Sequence, residues 1–137
     1  MRNFMLLDRY HIDNESGIIT LSNQDDKDNR PQLALKIEGE FIAISTSYGA
    51  LEIALRPKLE ELRWAFSHVV PFDGLQTTSR QIGSTQAFLA LGLRTDGTVI
   101  LRPTILADAT GHFTLNLMLS SEVRAQLFNW LSVTPKS

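Results

Sequence analysis

The feature that most constrains this chain is a twice-repeated switch in hydrophobic period, from alternation every second residue to apolar spacings of three and four. Leu51, Ile53 and Leu55 alternate with Glu52, Ala54 and Arg56, the pattern of a strand with one wet face. Pro57 ends that run and suits the first turn of a helix. Leu59, Leu62, Ala65, Phe66 and Val69 then follow at helical spacing, with Glu60 and Glu61 near the positive end of the helix dipole, so the spacing predicts a helix to about Val70. Upstream, Ile18 to Leu21 reads as a strand after Gly17. Leu33 to Ile37 and Phe41 to Ile44 read as a hairpin around Glu38-Gly39-Glu40, and a second turn lies at Ser47-Tyr48-Gly49.

The pattern returns in the second half. Residues 71–85 are rich in turn formers and read as the connection, with a short strand near Thr77 to Ile82. Phe88 to Leu93 alternates, Asp96-Gly97 supplies a hairpin turn, and Thr98 to Leu101 runs back. Tyr48-Gly49-Ala50-Leu51-Glu52-Ile53-Ala54-Leu55 matches Thr110-Gly111-His112-Phe113-Thr114-Leu115-Asn116-Leu117 at an offset of 62. A helix follows each copy. In the second, Ser120 or Ser121 caps the helix, and Val123, Leu127, Trp130 and Leu131 form the apolar stripe. The expected fold is α+β: two antiparallel meander-plus-helix halves, ββββα-ββββα-like, at about 17–70 and 81–133, packed around one core in a single domain 1–137. A meander with one oily face cannot bury it alone, which gives duplication a physical reason. Two ordinary strand-to-helix units would produce the same match.

With 137 residues the chain is long enough to bury a self-sufficient core, and without cysteine it has neither disulfides nor thiolate metal sites. The run Phe4-Met5-Leu6-Leu7 is too short for a signal core or a membrane span, so a cytoplasmic protein is expected, with no membrane partner. Asn14-Glu15-Ser16 then reads as a turn, not a glycosylation site. The net charge of −2 excludes nucleic-acid binding driven by bulk positive charge. Residues 1–70 hold eight basic and eleven acidic side chains and residues 71–137 hold five and four, so any electropositive face belongs to the second half.

The order of strands, helix, strands, helix, with Gly49 and Gly111 before the last strand of each half, resembles the Whirly fold of single-stranded-DNA-binding proteins. It is similar also to small cyanobacterial proteins of that arrangement. The resemblance spans nearly the whole chain and implies a non-catalytic module for single-stranded nucleic acid. The Lys-Gly-Lys-Ala-Ala-Leu motif of the Whirly family is not matched: the comparable segment is Leu33-Ala34-Leu35-Lys36-Ile37-Glu38, which keeps one lysine, so no residue role carries over.

Binding a single strand without sequence preference takes aromatic faces and positive charge along the backbone path, and Lys36, Tyr48, Arg80, Arg94 and Arg102 are the candidates. Scattered basic residues equally describe a solvated surface. Trp64 lies off the stripe of the first helix; it is either partly buried or, if exposed, an anchor for another protein or a second copy. The alternative function is accordingly a protein-interaction or assembly factor. His11, His68 and His112 lack metal-ligand spacing, and Asp25-Asp26-Lys27-Asp28 lacks the spacing of a calcium loop, so no metal and no cofactor are expected. His112 near Asp108 reads as a polar turn, and no nucleophile elbow, phosphate loop or dinucleotide fingerprint points to an enzyme.

Overall fold

The computed structural model describes residues 4–23, 32–68, 80–108 and 110–133. In chain order the elements are β1 (Met5–Leu7), β2 (Arg9–Ile12), β3 (Ile19–Ser22), β4 (Gln32–Glu38), β5 (Phe41–Tyr48), β6 (Leu51–Leu55), α1 (Leu59–His68), β7 (Arg80–Gly83), β8 (Ala87–Leu93), β9 (Val99–Asp108), β10 (Gly111–Thr114), β11 (Leu117–Leu119) and α2 (Ser121–Val133). The fold is α+β, with two sheets and two helices. Sheet one is the antiparallel meander β2-β3-β4-β5-β6. Sheet two has the order β1-β11-β9-β8-β7, with β10 also on β9.

Alternation sets which face of each strand is dry. In sheet one Leu21, Leu35, Ile44 and Ile53 point into the core, and in sheet two Leu91, Leu101 and Leu117 do the same. Fully burying each such side chain contributes about 1.5–3 kcal/mol. Each helix bridges the sheets: α1 touches β5 and β7, whereas α2 touches β11 together with β2 and β3. Ser120 is the cap of α2, its hydroxyl accepting from the Val123 amide at 3.2 Å. Val123, Leu127, Trp130 and Leu131 are buried as the stripe predicts.

Three sequence expectations are corrected. The N-terminal segment, outside both expected half-repeats, supplies two strands. β1 pairs in parallel with β11, and after Asp8 the chain crosses to sheet one, where β2 pairs with β3. Bonds from the Ser120 amide to Leu7 O (3.1 Å) and from the Asp8 amide to Ser22 O (2.9 Å) fix that crossing.

Pro57 lies outside α1. Its carbonyl accepts from the Ile42 amide at 3.0 Å and Lys58 bridges to Phe41, so these residues prolong the sheet-one ladder before the helix starts at Leu59. The expected helical residues Val69 and Val70 lie outside the described residues.

The strand beginning near Thr98 does not stop at Leu101 but runs through Pro103 to Asp108. One register joins β10 and β11 to it, from Thr114 opposite Thr104 to Leu117 opposite Leu101. The gap between β10 and β11 falls at Leu115 and Asn116, opposite Pro103 and Arg102. Leu115 donates to Pro103 O at 3.1 Å, and proline, having no N–H, cannot return the bond. The β10–β11 segment is therefore one strand with a proline-made break.

Candidate nucleic-acid interface

Because Leu89, Leu91 and Leu93 face the core, the residues between them face outward, and the register extends this rule across sheet two. Phe88 stands opposite Thr104 and Thr104 opposite Thr114, Ala90 opposite Arg102, Gly92 opposite Ile100, and Ile100 opposite Met118; His112 stands opposite Leu106. The outward face thus carries Arg102 and His112 on its strands and Arg94 at the end of the β8–β9 hairpin. Its described strand residues include no carboxylate side chain; Asp108 closes the face at the far end of β9, with its side chain outside the described residues.

Arg94 reaches across the sheet. Its Nη1 lies 3.9 Å from Met118 Sδ, and since β9 separates β8 from β11 the side chain must pass over β9 near Ile100. Ile100 is 3% exposed although it lies on the face away from the core, and Ala90 and Thr104 on the same face are buried as well. Asp96, two residues beyond Arg94, is held inside the hairpin turn: its Oδ1 accepts from the Thr98 hydroxyl at 2.7 Å and the Thr98 amide at 3.0 Å. Those two bonds, the hydroxyl first, hold its carboxyl below the ordinary value, with Arg94 adding a smaller pull. Thr104 and Thr114 share a hydroxyl hydrogen bond of 3.1 Å across β9 and β10. Opposite Arg102, the Asn116 Oδ1 is buried with no hydrogen-bond partner among the described residues.

The five residues named from the sequence do not converge on one patch. Arg94 and Arg102 share the outward face of sheet two. Lys36 is exposed on the outward face of sheet one, opposite Ala43. There Arg56 pairs with Glu38 at 3.1 Å and lies 4.4 Å from the centre of the Phe41 ring, so charge of both signs is interleaved. Tyr48 follows the inward parity of Ile44 and Thr46 but stands past the end of the core, exposed at the β5–β6 turn. Arg80 opens β7 opposite Leu91, and its side chain lies outside the described residues. Phe88 and His112, not named as site residues, join Arg94 and Arg102; only strand parity, carried through the break at Pro103, would have revealed them.

Trp64 is 51% exposed, which overturns the partly buried alternative. Its ring stacks on His68 with centroids 4.5 Å apart, and His68 Nδ1 lies 2.8 Å from Trp64 O. Glu60, Glu61 and Trp64 of α1, with Gln81, Ile82 and Gly83 of β7, line a groove of about 620 Å³. Two carboxylates make that groove a poor seat for phosphate. Among the described residues no group of three metal-ligating side chains occurs, and the acidic run at 25–28 lies outside them. No described helix is long and apolar enough to cross a membrane.

No protein-family model matches the chain, and comparisons with curated proteins and with solved structures return no significant match.

Proposed function

We propose that the chain is a non-catalytic module that binds single-stranded nucleic acid across the outward face of sheet two. The observation that carries this reading is the gathering of Arg94, Arg102 and His112 beside Phe88 on one sheet face whose described strand residues include no carboxylate side chain. Two guanidiniums track phosphates, the half-buried Phe88 ring offers a base a stacking surface, and the half-buried Thr114 hydroxyl offers a hydrogen bond. The likeness to the Whirly arrangement supports the same reading.

With two guanidinium contacts the affinity is modest and electrostatic. In a fluorescence-anisotropy titration of a labelled oligonucleotide, log K should fall with log salt at a slope of about −1.4, near −0.7 per phosphate contact. Arg94→Ala and Arg102→Ala should each flatten that slope by about 0.7. Failure to bind at low ionic strength sinks the reading.

A protein-interaction role has its own supporting observation. Trp64, Phe128 and Val133, the last 68% exposed, leave apolar surface on the paired helices. Binding of a partner protein that is lost in Trp64→Ala and retained in Arg94→Ala would favour that role.

A further inference from the structure

We infer that β2 is a self-complementary edge through which two copies of this chain pair, joining their first sheets into one continuous antiparallel sheet. β2 is the terminal strand of sheet one, and all four of its residues are exposed. The ladder continues one residue further, because the Asp13 amide donates to Ile18 O at 2.9 Å. That bond makes Asp13 a hydrogen-bonded partner of Ile18, so the alternation of an antiparallel ladder turns the polar backbone groups of Tyr10 and Ile12 toward the free edge.

The side chains along this edge are complementary to themselves in reverse. Arg9, His11 and Asp13 share the outward face, whereas Tyr10 and Ile12 share the other. Two copies related by a two-fold axis through His11 place Arg9 opposite the partner's Asp13 and Tyr10 opposite the partner's Ile12, each twice, with His11 opposite its own copy. The edge-facing ladder groups of Tyr10 and Ile12, which pair with no described strand, then gain partners, and both charged positions meet an opposite charge. Asp13 is suited to this: bonds from the Glu15 amide and then Ser16 lower its carboxyl below the ordinary value, so it is ionised at neutral pH. Arg9 has no ion pair among the described residues. Sliding the register two residues the other way sets Arg9 opposite His11 and leaves both carboxylates unmatched.

Five residues a side are far fewer than the roughly 20–30 of a stable interface, so the pairing is a weak, concentration-dependent dimer. Sedimentation velocity over about a hundredfold concentration range should show the full chain passing from monomer to dimer. Arg9→Asp and Asp13→Arg, each setting like charges face to face, should move the midpoint about tenfold or more upward, a loss of about 1.4 kcal/mol. The double swap should bring it back near the parent. Circular dichroism checks that each variant is folded, and Trp64→Ala should dimerise like the parent. A chain that stays monomeric throughout, single variants that assemble unchanged, or a double swap that fails to restore pairing overturns the inference.

Discussion

Arg63 on α1 donates from Nε to the carbonyl oxygen of Leu131 on α2 at 2.8 Å, a charged clasp between helices 68 residues apart in sequence. The acceptor lies in the last turn of α2, where carbonyls lack helical partners and the dipole favours a cation. Glu60 steadies the same guanidinium through Nη1 at 3.0 Å. Arg63→Ala should lower stability by about 1.5–3 kcal/mol, the usual range for a hydrogen bond to a charged group. Urea denaturation measures this, and Arg63→Lys should recover part of the loss.

Two glycines at positive φ separate backbone strain from steric conflict. At Gly83 (φ +108) an added Cβ would lie 2.7 Å from Ala87 O, in the turn that carries β7 into β8, whereas at Gly17 (φ +75) it would meet nothing within 4 Å. Gly17→Ala should therefore cost about 1 kcal/mol for its left-handed conformation alone. Gly83→Ala should cost clearly more, about 2 kcal/mol or above, because backbone must also shift. Thermal melts of the two variants compare them directly.

The Asp96 carboxyl sets an acid-side dependence. Its pKa is lowered in the folded chain, chiefly by the Thr98 hydroxyl and then the Thr98 amide. A lowered folded value means that its contribution is complete above the unfolded pKa and is lost as pH falls through the folded one. In an NMR titration Asp96 should titrate below an ordinary aspartate. Thr98→Ala should raise it toward that value, and Asp96→Asn should remove its share of the acid-side loss of stability.

Local pattern was enough to place most elements. The period-two runs at 33–37, 41–44 and 51–55 and the two helical stripes were legible because each depends on neighbours along the chain. The partners of β1 were not: three residues, Met5 to Leu7, choose a parallel place beside β11 only once the second half has folded. Pro103 misled for a related reason. A proline inside a strand reads as its end, yet here its missing N–H faces Leu115, in the two-residue gap where the neighbouring strand breaks. The site suffered in turn. Arg94 and Arg102 were legible as candidates by charge, but their company with Phe88 and His112 depends on a register that runs across that break. Lys36 and Tyr48 qualify by residue type alone, and the fold sends them to the other sheet.

The most direct test of a nucleic-acid-binding sheet face is an amide chemical-shift map of the labelled protein titrated with a short single-stranded oligonucleotide at low salt. Shifts should concentrate at Phe88, Gly92, Arg94, Ile100, Arg102 and His112 and fade as salt is raised, with α1, α2 and the outward face of sheet one undisturbed. Shifts confined to Trp64 and Phe128, or none at any oligonucleotide concentration, would contradict it.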